Sequence, residues 1–156
     1  MLDFPLFFTI RDVFAYDQSM NKLGDLFAQD YKYQNPLRLV TFIDNHDRDR
    51  FLTVGDDDRR RLRLALSFIF AARGIPDVYY GTEQAYYGDG RPKEWSGIAN
   101  EHNREMLSGY DQNHNIYKHI QRLTQIRKDF VALRRGTQRE MWKDNQVYAF
   151  SRRVDS

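Results

Sequence analysis

The sequence predicts an α/β chain, and two stretches carry that reading. Leu39-Val40-Thr41-Phe42-Ile43 is short, β-branched and aromatic, the composition of a strand buried on both faces, and it runs straight into Asp44-Asn45-His46-Asp47. Farther on, Ala71-Ala72-Arg73-Gly74-Ile75-Pro76-Asp77-Val78-Tyr79-Tyr80-Gly81-Thr82-Glu83-Gln84 reads as helix end, tight turn, short strand and polar exit. Two strand-to-polar exits separated by one helix describe a βαβ crossover.

The other elements come in chain order. Pro5 to Ala15 reads as a helix opened by proline, with Leu6, Ile10 and Phe14 on one face, and Met20 to Gln29 repeats the pattern with Leu23, Leu26 and Phe27. After the strand Leu39 to Ile43, Asp57 to Ala72 forms an amphipathic helix with Leu62, Leu66, Ile69 and Phe70 inward, stopped by Gly74 and Pro76. Asp56-Asp57-Asp58 place acids at its start, where the helix dipole favours them, and Arg59-Arg60-Arg61 with Arg63 reads as its solvated face. The second strand is expected at Val78 to Tyr80. Residues 85–113 are polar and glycine-bearing, with Trp95 and Met106 as isolated apolar points; a loop of that length is more than a plain connection. A helix from Asn115 to Leu133 then spaces Ile116, Ile120, Leu123, Ile126 and Phe130 along one stripe and ends at Gly136. Gln138 to Trp142 and Gln146 to Ser151 form a hairpin around Lys143-Asp144-Asn145.

Composition narrows the function classes. Lys and Arg number 24 against 22 Asp and Glu, a formal charge of +2, so no nucleic-acid partner is implied. With no cysteine, disulfides and thiolate metal sites are excluded. The longest apolar stretch, near Ala65 to Ala72, is far short of the roughly 20 residues that span a bilayer, so no membrane partner is expected, and Met1-Leu2-Asp3 lacks the charged start of a signal peptide. No histidine pair has the helical spacing of a zinc site, since His114 and His119 lie five apart. No metal site is therefore expected. A hydrolytic metal built on Asp44, His46 and Asp47 is disfavoured because adjacent residues rarely chelate one ion.

The candidate site is the polar exit of the first strand. Asn, His and Asp are ordinary residues for ending a strand and capping the next segment, so the triplet alone decides nothing. In barrels of alternating strands and helices, however, side chains at the C-terminal mouth of a strand reach the cleft where substrates are handled.

Phe42 to Asp47 resembles the fourth sequence motif of the α-amylase family of glycoside hydrolases, and Gly74 to Gln84 resembles the segment around that family's eighth barrel strand. Leu2-Asp3-Phe4, Arg127-Lys128 and Gly136-Thr137-Gln138 leading to Trp142 are similar to cyclodextrin glucanotransferases and related bacterial α-amylases. The resemblance implies a partial (β/α)8 TIM barrel, about strands six to eight with their helices, over 1–135, and the first hairpin of a truncated C-terminal β-sandwich domain over 136–156. A whole barrel needs roughly 250 residues, against 156 here.

The resemblance gives Asp47 the role of the family's third carboxylate, the transition-state stabiliser, with His46 and Asn45 binding substrate. The nucleophilic Asp and the acid/base Glu are not found. Asn45 either orients a hydroxyl or closes the turn. In Tyr86-Tyr87-Gly88-Asp89-Gly90-Arg91-Pro92, related enzymes place an Asp and an Arg that hold a sugar. Tyr87, Asp89 and Arg91 are the matching candidates, although the spelling departs from Gly-Asp-Pro-x-x-Arg and a solvated turn is the alternative. The implied function is a piece of a retaining α-glucan hydrolase or glucanotransferase, inactive alone. The alternative is a non-catalytic glucan-binding or accessory fragment. Expected partners are an α-glucan or maltooligosaccharide and either the missing N-terminal half or a second copy. No cofactor is expected in this chain; a structural calcium and a secreted or periplasmic location belong to an intact family member.

Overall fold

The computed structural model describes residues 1–88 and 103–154. Asp3 opens the first helix by accepting a hydrogen bond from Leu6 N (3.1 Å), and Pro5 occupies the first turn, where its missing N–H costs nothing. This helix, α1 (Phe4–Ile10), runs on through one π-helical turn at Arg11–Ala15. It buries Leu6, Ile10 and Phe14 as the periodicity predicts. Phe7 stacks on Phe42 with ring centroids 5.1 Å apart, which fastens α1 to the chain leaving the first strand.

At the start of α2 (Asn21–Phe27) Met20 makes no side-chain cap, and Ser19 Oγ accepts from Asn21 N (3.2 Å) instead. Asn145, at the tip of the C-terminal hairpin, braces this start from outside: its C=O accepts from Met20 N (3.0 Å) and its Oδ1 from Ser19 Oγ (2.9 Å) and Asn21 Nδ2 (3.2 Å).

β1 (Val40–Thr41) pairs in parallel with β2 (Ile75–Pro76), and Leu2 bridges Val40 on the other side. The second strand thus lies nearer the helix than the expected Val78 to Tyr80. The cause is Gly74 at φ +104°: a Cβ there would stand 2.8 Å from Leu39 O and 2.6 Å from Thr41 Cγ2, so the turn brings the chain onto β1 at once. Ile75 N donates to Leu39 O (2.8 Å) and Asp77 N to Thr41 O (2.7 Å), while Tyr79 and Tyr80 turn aside onto Arg50.

α3 (Phe51–Val54) is one short turn, and α4 (Arg59–Ala71) is the central helix, capped by Asp58 Oδ1 accepting from Arg60 N (2.8 Å). Leu62, Leu66, Ile69 and Phe70 face the core. The basic run is not wholly solvated. Arg61 donates to Ala15 O (2.6 Å) and pairs with Asp17, so it closes the end of the π turn.

The expected helix to Leu133 divides into α5 (Asn115–Asp129) and α6 (Val131–Arg135), interrupted at Phe130, which is extended (φ −102°, ψ 99°) and 62% exposed. Beyond the break the C-terminal hairpin is tied to α4: Arg152 donates to Ala71 O (3.0 Å) at the end of α4 and to Gly136 O (2.8 Å).

β3 (Thr137–Lys143) and β4 (Tyr148–Arg153) make an antiparallel hairpin with an irregularity between Glu140 and Trp142. A lone hairpin is marginal in water. This one lies on the helices, Tyr148 stacking on Phe27 (5.8 Å) and Phe150 meeting Phe68 edge-on (6.0 Å).

The carbonyls ending α4 lack helical partners, and arginines supply them. Arg127 donates to Phe70 O (2.6 Å) and to Gly74 O, beside Arg152 on Ala71 O. Next to them the buried Arg73 joins Asp3 and Asp30 (2.7 Å to the latter) over the Phe27 ring. Burial, then Arg127 and Arg73, brings Arg152 down to about 10. Among the described residues no helix is long and apolar enough to cross a membrane.

Candidate functional site

The chain leaving β1 stays inside through Phe42, Ile43 and Asp44, then turns out. Asp44 is 2% exposed, with Oδ2 accepting from Phe51 N (3.1 Å) and Oδ1 from Thr82 Oγ1 (3.0 Å). Burial pushes its carboxyl up, against the Phe51 N–H, the Arg50 charge and the Thr82 hydroxyl, which pull it down. Asp44 therefore joins the two strand exits from within and is unavailable to a ligand.

Asn45 closes the turn. Its Oδ1 accepts from Asp47 N (2.9 Å), and its C=O accepts from Asn103 Nδ2 (2.9 Å). With that turn made, the next two side chains stand outside: His46 is 60% and Asp47 55% exposed, with His46 Nε2 3.3 Å from Asp47 Oδ2.

One partner of this pair has no local signature in the sequence. Arg104 places Nη2 3.3 Å from Asp47 Oδ1 and donates through Nε to His46 O (3.0 Å). Asn103, 2% exposed, holds the carbonyls of Asn45 and Arg48, at 2.9 and 2.5 Å. The only available signal is a polar Asn103-Arg104-Glu105 run in a long loop, 58 residues from the chain it grips.

Of the other candidates, Tyr87 packs against the core, and its C=O accepts from Thr53 Oγ1 (2.5 Å). Asp89 and Arg91 lie outside the described residues. Asp44 faces inward while His46 and Asp47 face outward, so these three do not converge on one point. Among the described residues no group of three His, Cys, Asp or Glu is placed to hold a metal ion.

Chemically, the exit offers a solvent-facing carboxylate at a strand end, flanked by an imidazole and a guanidinium. Such a carboxylate accepts hydrogen bonds from hydroxyls or faces a positive charge.

The family model for the α-amylase catalytic domain matches residues 12–108, more than half of the chain and including the whole Asp44 to Asp47 exit. The chain belongs to the α-amylase family.

Relatives agree with that assignment. The chain is 40% identical over 158 residues to a β/α-amylase of Paenibacillus polymyxa, covering 97% of this chain and 12% of the relative. It is 37% identical over 160 residues to a cyclomaltodextrin glucanotransferase of Paenibacillus macerans, covering 100% and 21%. A solved cyclomaltodextrin glucanotransferase with a three-domain ABC distribution superposes with a TM-score of 0.86 at 38% identity, covering 98% of this chain and 30% of that one. The chain thus has the α/β fold of this α-amylase-family segment and spans about a fifth or less of the length of the two Paenibacillus relatives.

Proposed function

We propose that this chain is the C-terminal part of an α-glucan-processing barrel, about strands six to eight with their helices over 1–135, and that 136–156 opens a β-domain. Asp47 is its functional carboxylate. In the whole enzyme it steadies the cationic sugar ring formed as an α-1,4-glucosidic bond breaks, while a nucleophilic carboxylate and a carboxylic acid from outside this chain break the bond. His46 donates to a ring hydroxyl, and Asn45 shapes the turn that points both side chains outward.

One observation carries this reading: of the two carboxylates at the β1 exit, Asp44 is consumed by the fold and Asp47 is presented. Positive charge develops on the ring as the bond breaks, so a fixed anion there gains most at the top of the barrier. Hydrogen bonds to the sugar strengthen at the same moment. Retaining chemistry needs two further carboxyl groups about 5 Å apart, and Asp47 is neither. The isolated chain is accordingly inactive. Ile75 on β2 is 52% exposed and the β1–β2 pair is small, features that favour association with the rest of a barrel or with a second copy.

Complementation is the test. Co-expression with an N-terminal barrel portion of the Paenibacillus macerans relative is expected to restore maltooligosaccharide turnover. Asp47→Asn in the complemented enzyme is expected to lower it roughly 10²- to 10³-fold. Turnover by this chain alone, or full activity of the Asp47→Asn complex, sinks the reading. Saturable maltooligosaccharide binding by the chain with no turnover after complementation points instead to a glucan-binding fragment.

A further inference from the structure

Arg50 and Arg73 are the largest fully buried side chains among the described residues. Burying a guanidinium is costly unless it is closely partnered, and three segments meet around Arg50. Nη1 donates to Tyr80 O (2.6 Å), while Nε and Nη2 donate to Glu105 Oε2 (3.2 and 3.0 Å). The guanidinium also lies over the rings of Tyr79, Tyr80 and Tyr86, at 4.4, 5.0 and 5.7 Å from their centroids. Gly81 makes room for this assembly: at φ +85°, a Cβ there would stand 2.7 Å from the Tyr86 ring and 3.3 Å from Arg50 Nη2.

Glu105 is held twice, its carboxylate by Arg50 and its C=O by Tyr80 Oη (2.8 Å). Asn103 is held twice as well, on the carbonyls of Asn45 and Arg48. The residue between these two clamps is Arg104, and it is the one that meets Asp47 and the His46 carbonyl.

We propose that Arg50 is a positioning residue: by clamping Glu105 it fixes Arg104 against Asp47 and so sets the direction of that carboxylate. The proposal rests on the reading of Asp47 as the functional anion. The geometry it describes, however, exists without any sugar.

The test is the ¹³Cγ resonance of Asp47 in the full chain, without ligand. Arg104→Gln is expected to move it. Glu105→Gln is expected to move it the same way by at least half as much, and the double variant to move it no further than Arg104→Gln alone. Arg50→Lys keeps the charge but loses the planar fork, and is expected to behave as Glu105→Gln does. Asn145→Ala, which weakens the fold far from this clamp, is expected to leave the resonance in place. An unmoved signal in Glu105→Gln, or two additive shifts in the double variant, overturns the proposal; so does a shift in Asn145→Ala, which would mark general loosening. Maltoheptaose titration separates the two ideas. Glu105→Gln is expected to weaken binding roughly tenfold in the wild-type background and not at all beside Arg104→Gln. Absence of binding by the wild-type chain counts against the carbohydrate reading, and the resonance still decides the positioning claim.

Discussion

The two ends of the β1–β2 pair treat charge in opposite ways. At the end where the strands begin, Arg73, Arg127 and Arg152 are engaged by helix carbonyls and by Asp3 and Asp30. Where the strands finish, Asp44 and Arg50 are engaged in the same manner, but His46 and Asp47 are turned out to solvent. Charge at the first end holds the fold together. At the second, an inner layer of charge holds an outer layer in place. A polar residue beside a strand end is therefore a candidate for chemistry only once the backbone's own demands have been met by its neighbours.

Substitutions can break or sharpen this contrast. The largest effect is expected at the closed end. Arg73→Ala strands two carboxylates, one of them fully buried, and should cost about 3–5 kcal/mol in urea unfolding. Unfolding as wild type would show that this end is no more structural than the other.

Next comes the inner layer of the open end. Asp44→Ala leaves the Phe51 N–H and the Thr82 hydroxyl without their acceptor and should cost about 1–3 kcal/mol. Asp44→Asn sharpens the point through pH. Because burial raises the folded value above the ordinary 3.8, the native state holds the proton longer than the unfolded state does. The Asp44 contribution to wild-type stability should then fall as pH rises from about 3.8 through the raised folded value, and stay lower above it. The asparagine variant should lack that fall. Parallel pH curves for the two proteins would mean that Asp44 is not held as described.

Asn145→Ala keeps the main-chain bond to Met20 N but removes the Oδ1 bonds to Ser19 and Asn21, and should cost about 0.5–1 kcal/mol, read as a lower Tm. Asp47→Asn should shift stability by no more than about 0.5 kcal/mol in either direction. A large loss there would move Asp47 from the presented layer to the structural one and remove the basis of its proposed role.

Much of this organisation was legible from residue order. The apolar stripes of α1 and α4, the acid-capped start of α4, the short buried strand and the change of period after Gly136 are local patterns, and each appears close to where the periodicity puts it. The second strand was displaced because its position depends on the turn at Gly74 closing on Leu39 and Thr41, a contact between segments far apart in the chain. The break at Phe130 was illegible for the same kind of reason, since the stripe of α5 continues through it while the hairpin beyond is held on α4 by Arg152, a contact between distant segments.

For the site, the order of residues determined that a carboxamide, an imidazole and a carboxylate come after an apolar strand, and with that the family likeness. It did not determine which carboxylate faces out. Asp44 and Asp47 have the same chemistry and differ in what comes to meet them: Phe51 and Thr82 for the first, His46 and Arg104 for the second. Arg50, Asn103 and Arg104 were invisible as a group because their partners lie tens of residues away, and hydrogen bonds between distant segments leave no period in a sequence. Local spacing sets how a segment buries its own apolar face, whereas the direction of a polar side chain at a strand end is set by the donors and acceptors that tertiary packing brings beside it.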